Sequence, residues 1–407
     1  MVGVYYSPLY LWRSQAVRLS MRLPQVVANE YAALPEVCPN PKRQCRGRTF
    51  HSHGFADKPV RDVFLHQVRA KRWQCDTCGY TFRIYPLGVT KRQQSDRLRA
   101  LSVLMWLIGG SLGGVVDLLT CLGCPIARST VYNNLQGTGQ RARERQRARL
   151  RGKIRAKVIG IDCTHVRVKG RDKIAVETVD ASTGASIEVD ILPGEDARRI
   201  TRYLKRIAKL TGAEVVVTDD ADAFKAAADE AGVDHQLCQK HVVPNVLTIL
   251  SSLAAEADVA VQGAVGPGGL TIDSLLSDLA ALEEIILARA AGSLKILAGL
   301  LTSYQGAPGP KKGRKASLWY RMRLLLLDLV EDWPRLTLTD RRRDNDGRRL
   351  VPPTNNVTEQ AIGSNLKERY RSMRGFKSVW SVKRIGTLMA SLRDAHDDGT
   401  LTVLLPA

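Results

Sequence analysis

From residue 157 onward the chain changes its hydrophobic period. Segments 157–168, 174–180 and 186–192 are apolar, partly alternating runs joined by turns such as Ser182-Thr183-Gly184, which predicts three meander strands. A helical period over 195–211 follows, then a strand at 214–218, a helix over 221–231 and a short strand at 235–238. From 242 to about 338 the pattern is helical, broken by Gly266-Pro267-Gly268-Gly269 and by Gly306-Ala307-Pro308-Gly309-Pro310. Upstream, Ser95 with 98–108, then 113–122, then 130 to about 136, predict three helices. Residues 60–85 mix apolar and basic positions in short strand-like runs such as Val68-Arg69-Ala70-Lys71-Arg72-Trp73. Residues 1–35 predict only a short helix or arm.

Composition narrows the class. A chain of 407 residues has room for several domains and a sizeable core. Hydrophobic residues at 44% and charged residues at 25% are ordinary for a folded protein; a net charge of +21 is not. The excess is mostly arginine and is spread from about residue 42 to residue 384. Such breadth points to long contact with a polyanion, and nucleic acid is the leading partner, because each neutralised phosphate releases a counterion. The first residues lack a basic region followed by an apolar core. The longest apolar stretch, 101–116, would span about 24 Å as a helix, short of the ~30 Å hydrocarbon core. The expectation is a cytoplasmic protein with no membrane partner. Its eight cysteines then read as metal ligands and buried thiols rather than disulfides.

Three acids stand out. Asp162 closes the run Lys157-Val158-Ile159-Gly160-Ile161, Asp219 closes Glu214-Val215-Val216-Val217-Thr218, and Glu359 opens a helical stretch after Pro352-Pro353-Thr354-Asn355-Asn356. Acids at strand ends often cap turns, and Asn356 with Glu359 three residues on reads equally as a capping box. Asp220 competes with Asp219; the direct succession to the apolar run favours Asp219 and leaves Asp220 as the cap of the next helix. Converging on a cleft, the three acids can hold two divalent ions about 3.5–4 Å apart that clamp the oxygens of a phosphodiester. Magnesium, or manganese, suits such carboxylate ligands.

Four blocks, taken together and in order, resemble the bacterial DDE transposases of the Mutator-like group of insertion-sequence enzymes. They are Val158-Ile159-Gly160-Ile161-Asp162; Val216-Val217-Thr218-Asp219; Cys238-Gln239-Lys240-His241; and Thr354-Asn355-Asn356-Val357-Thr358-Glu359 running into Arg371-Ser372-Met373-Arg374-Gly375-Phe376-Lys377-Ser378. The resemblance covers roughly residues 157–390. It implies an RNase H-like mixed sheet, with Asp162, Asp219 and Glu359 as catalytic ligands of two magnesium ions. The separation of Asp219 and Glu359 then marks a helical insertion. Cys238 and His241 are too few soft ligands for a structural zinc, which takes four; they read as supports holding the insertion against the catalytic strands.

The front end carries its own chemistry. Cys75-Asp76-Thr77-Cys78-Gly79 is a zinc knuckle, and Cys38 with Cys45 is its looser partner, a layout that resembles transposase zinc ribbons. His51 or His53 in place of Cys45 is an alternative. Pairing Cys75 and Cys78 with Cys121 and Cys124 is disfavoured, since Cys121 falls on an apolar helix face and Cys124 in a turn. Segment 115–122, the break at Gly123 and 129–135 read as a helix-turn-helix presenting Arg128, Thr130, Asn133 and Asn134 to a major groove; a plain helical hairpin is the alternative. Residues 141–155 read as a solvated helix or a DNA-tracking segment. Lys311, Lys312, Arg314 and Lys315 read as a flexible phosphate contact.

The expected fold class is α/β multidomain: an arm (1–35), a zinc ribbon (36–90), a helix-turn-helix with basic linker (91–156), an RNase H-like core (157–241), a helical insertion (242–345) and the last core helix with a C-terminal segment (346–407). The implied function is transposition: double-stranded DNA partners at transposon ends and target, metal-dependent cleavage and strand transfer, and a homodimer or larger synaptic assembly. A catalytically inactive DNA-binding relative and another RNase H-like nuclease are the rivals.

Overall fold

The computed structural model describes residues 23–42, 44–152, 154–194, 196–259, 265–373 and 375–394. Most of the expected arm, Glu195, Arg374 and the segment after 394 lie outside the described residues. At the front, β1 (Val27–Tyr31) pairs with β5 (Pro86–Leu87) beside an antiparallel sheet of β2 (Phe50–Pro59), β3 (Gln67–Cys75) and β4 (Thr81–Ile84). On β3 the alternation is literal: Val68 and Ala70 are buried, Gln67 and Arg69 exposed. The apolar centre of this module is small, built on Val60, Val68 and Val89.

Three helices follow. α1 (Asp96–Leu107) and α2 (Leu112–Cys121) start at Ser95 and Ser111, whose hydroxyls accept the Leu98 and Gly114 amides. α3 (Arg128–Arg151) is one continuous helix, joining the expected short helix from residue 130 to the basic run from 141, for which a solvated helix was one of the two expectations. Its buried side chains, Val131, Leu135, Thr138 and Ala142, recur at helical spacing, so one face is core and the arginines line much of the rest. These helices have no core of their own. Leu98, Trp106, Leu119 and Leu135 share one apolar cluster with Val166, Val168 and Val189 of the next sheet.

That sheet is mixed and five-stranded. β6 (Val158–Val168), β7 (Arg171–Asp180) and β8 (Ser186–Leu192) form an antiparallel meander. β9 (Val215–Thr218) runs parallel to β6 on its free side, and β10 (Asp234–Leu237) runs parallel to β9, giving the order β10-β9-β6-β7-β8. The crossovers are α4 (Ala197–Thr211) and α5 (Asp222–Ala231). They cover one face, where Ile159, Ile161, Val176 and Ile187 meet Ile200, Leu204, Ile207 and Phe224. Because strand side chains alternate, Gly160 and Asp162 project from the other face.

Between β10 and the last helices lies a separate helical unit of α6 (Gln239–Asp258), α7 (Ile272–Ala288), α8 (Ser293–Tyr304) and α9 (Leu318–Leu336), with its own leucine-rich core. The Gln236 and Gln239 side-chain amides both donate to Leu336 O, fixing the end of α9 to the sheet edge. After the short α10 (Leu338–Arg341), α11 (Asn356–Ile362) packs on β6 and β7 and continues through a π-helical turn, Gly363–Lys367, into α12 (Glu368–Met373). Phe376 then lies edge-on to β6, its N–H donating to Arg167 O and its carbonyl accepting from Lys169 N. α13 (Val379–Asp394) packs on α3 and β8. Among the described residues no helix is long and apolar enough to cross a membrane.

Candidate active site and metal centre

Asp162 sits where β6 leaves the shelter of its neighbour β9, whose pairing with β6 ends at Gly160. Its side chain is mostly buried, and burial pushes its carboxyl up to about 6; Lys367 and the Cys163 N–H oppose the shift, while the charges of Asp219 and Glu359 add to it. The Cys163 N–H donates to one carboxylate oxygen at 2.8 Å, and Lys367 Nζ stands 3.9 Å from the other. Lys367 belongs to the π-helical turn, a distortion that often marks functional positions. It was not singled out from sequence, because its approach to Asp162 depends on that turn.

Asp219 follows β9 directly, as expected, and its Oδ1 accepts weakly from Ala221 N. Thr218 and His235 brace this strand end: Thr218 Oγ1 donates to Asp219 O and lies 2.8 Å from His235 Nε2. Burial pushes His235 down to about 4, so the imidazole is a neutral brace. Asp220 is engaged elsewhere. Lys225 reaches it at 2.7 Å and also holds Asp332 of α9 at 2.5 Å, so this acid belongs to the seam between sheet and helical unit. It does not cap α5, contrary to expectation; the cap position is Ala221.

Glu359 is delivered by a close approach of α11 to β6. A Cβ at position 160 would overlap the Thr358 hydroxyl outright and stand 2.9 Å from Asn355 Oδ1. Only glycine lets the helix rest there. Asn355, buried at the helix start, donates from its side chain to Ile161 O at 2.8 Å and from its backbone to Cys238 Sγ at 3.3 Å. The capping-box alternative for Asn356 fails, because the cap residue is Asn355 and Asn356 Oδ1 accepts from Lys240 Nζ instead. Lys240 Nζ also lies 3.6 Å from Glu359 Oε2.

Cys238 and His241 flank the start of α6. The thiol is fully buried and the imidazole half-exposed. Their sulfur and nitrogen lie with a Glu359 oxygen inside 4.8 Å of one another. Among the described residues Asp162, Asp219 and Glu359 do not make such a group.

The four front cysteines do converge. Cys38 Sγ lies 3.7 Å from Cys78 Sγ and Cys45 Sγ lies 3.9 Å from Cys75 Sγ, with all four inside 4.8 Å. Four sulfurs at 2.3 Å around a tetrahedral zinc stand ~3.8 Å apart, so the cage has the right size. Gly47 is needed beside it, because a Cβ there would fall 2.8 Å from Cys75 Sγ. The Tyr80 N–H draws the Cys78 thiol down to about 7, whereas burial raises Cys38. His51 hydrogen-bonds Asp76 at 2.6 Å instead of joining the sulfurs. Cys124 donates to Asp62 O at 3.1 Å, and Cys121 is exposed rather than on the apolar face.

At the start of α3, Arg128 and Asn133 are exposed and Thr130 half-exposed. Asn134 is a correction. It is 7% exposed, and its amide donates to Gln94 Oε1 and Ser102 Oγ, so it stitches α3 to α1 and faces no groove. At a helix start, neighbouring residues point about 100° apart, and residue 134 falls on the Val131–Leu135 side. Lys311, Lys312, Arg314 and Lys315 form an exposed loop, with Lys315 paired to Glu256 at 3.1 Å.

No protein-family model and no curated protein matches the chain.

Proposed function

We propose that the chain is a DNA transposase with an RNase H-like core. The observation that carries the reading is the placement of the acids. Asp162 lies within β6, two residues past the end of its pairing with the adjacent parallel strand β9, Asp219 directly follows β9, and Glu359 arrives on a helix seated against β6 in a sheet ordered β10-β9-β6-β7-β8. Asp162 also feels the charges of the other two. An acid raised by burial, with two neighbouring acids adding to the shift, is a group that gains from bound cations. The all-oxygen donor set of Asp162, Asp219 and Glu359 fits magnesium or manganese. When bound, these ions supply Lewis acidity to the phosphodiester oxygens and lower the pKa of the attacking hydroxyl.

The chain's own residues do the rest. Asn355 and Gly160 fix the height of Glu359 over the sheet, and the Cys163 N–H fixes one rotamer of Asp162. Lys240 and Lys367 bring positive charge to the rim of the cleft, where a scissile phosphate would gain from it. Cys38, Cys45, Cys75 and Cys78 hold a structural zinc that completes a module whose apolar centre is too small alone. This ribbon and the exposed start of α3, with Arg128, Thr130 and Asn133, bind the terminal inverted repeats. The basic surface grips the backbone, and two chains or more hold paired ends.

The test is incubation with magnesium and DNA carrying the sequences that flank the gene. Nicks leaving 3′-OH ends, followed by joined strands, are expected. Efficient cutting of branched DNA or RNA–DNA hybrids without repeat preference would favour a different nuclease, and tight repeat binding without any cutting would favour a DNA-binding protein.

A further inference from the structure

The sequence offered two soft donors at Cys238 and His241; the fold brings a third group to them. Cys238 sulfur, a His241 nitrogen and a Glu359 oxygen lie within 4.8 Å of one another, although Glu359 comes from a different helix. We propose that these three residues form a second transition-metal site, selective for zinc over magnesium, through which zinc inhibits the enzyme. Zinc with nitrogen and oxygen ligands at ~2.0–2.1 Å sets those atoms ~3.3 Å apart in a tetrahedron. His241 Nε2 and Glu359 Oε1 are 3.7 Å apart, too far for a hydrogen bond and close to the span of a shared ion.

Two further features point to a ligand. Glu359 Oε1 is buried and has no hydrogen-bond partner among the described residues, an expensive state for a carboxylate oxygen. Cys238 Sγ accepts the Asn355 N–H at 3.3 Å, which orients the sulfur. A thiolate, an imidazole and a carboxylate select zinc, whereas magnesium needs hard oxygen donors throughout. Three protein ligands leave a fourth position for water.

The inhibitory consequence rests on the transposase reading. Glu359 cannot serve both ions, so zinc at Cys238 and His241 withdraws it from the acids on the strands. The metal count does not rest on that reading, and this separates the two.

The experiment loads the full chain with zinc, removes loosely held ion by gel filtration and measures zinc per chain by mass spectrometry. About two zinc ions per chain are expected, one of them in the ribbon. His241→Ala, chosen because the side chain is 43% exposed and its loss spares the core, is expected to retain about one. Cys238→Ser gives the same loss through the buried ligand. In the cleavage assay, zinc at fixed magnesium should stop the intact enzyme at concentrations that leave His241→Ala at its own zinc-free rate. Full zinc content in both variants, or only ribbon-bound zinc in the intact chain, overturns the proposal. If no DNA is cleaved under any condition, the transposase reading fails and the metal count still decides the site.

Discussion

Gly160→Ala tests the contact on which the candidate site is assembled. The new methyl would overlap the Thr358 hydroxyl, with Thr358 Cβ 3.3 Å away and Asn355 Oδ1 at 2.9 Å. Thr358 and Asn355 are 1% and 3% exposed, so neither can swing into solvent and α11 must lift from β6. Overpacking of this kind costs about 1–3 kcal/mol. Straining the bond from Asn355 to Ile161 O adds about 0.5–1.5 kcal/mol, for a loss on the order of 2–4 kcal/mol. Thr358→Ala alone removes a buried hydroxyl and methyl at a cost of about 1 kcal/mol. In the double variant that hydroxyl is gone, so the combined loss should fall short of the sum by at least about 1 kcal/mol, within the range for residues in contact. Urea unfolding of the four proteins, with midpoints and slopes compared, measures this coupling. Additivity to within about 0.5 kcal/mol would refute the claim that α11 rests on Gly160.

Asp162 sets a pH dependence. Its carboxyl binds a proton more tightly folded than unfolded, so its contribution is fully present below about 4 and is lost as pH rises through about 6. The loss is on the order of 3 kcal/mol; in magnesium-free buffer Asp162→Asn should abolish it, seen as a flatter plot of unfolding midpoint against pH. Cys75→Ser or Cys78→Ser should each release about one zinc per chain and open residues 38–90 to limited proteolysis, since zinc and folding are coupled in such modules. Among DNA contacts, neutralising Lys311, Lys312, Arg314 and Lys315 should weaken repeat and random DNA alike and flatten the salt slope, whereas Asn133→Ala should cost about 1–3 kcal/mol on the repeat only. Asn134→Ala should lower stability by about 1–3 kcal/mol through loss of its buried hydrogen bonds and leave repeat specificity unchanged, as titration of repeat against random duplex would report.

The sheet was readable because its strands are short apolar runs ended by turns and acids; a partial alternation survives in β6 and β8, while β9 is a continuous buried valine run. The four ribbon cysteines were readable from the knuckle at Cys75 and Cys78. What escaped the sequence was what depends on approach across the fold. The long spacing of Cys38 and Cys45 left His51 open as a ligand until its bond to Asp76 accounted for it. Asn134 shares a motif with Asn133, and only the packing of α3 on α1 separates a core amide from an exposed one. Lys367 reaches Asp162 through a π-helical turn that no residue pattern announces. The third donor beside Cys238 and His241 lies far along the chain, so spacing alone showed an incomplete set.

The central claim is that Asp162, Asp219 and Glu359 carry the chemistry and Asp220 does not. Single-turnover cleavage of end-bearing DNA in magnesium, with binding measured alongside, tests it directly. Asp162→Asn, Asp219→Asn and Glu359→Gln should each abolish cutting while retaining DNA affinity, and Asp220→Asn, which loses only its pairing with Lys225, should still cut. Cutting retained by Asp219→Asn and lost in Asp220→Asn would contradict the account.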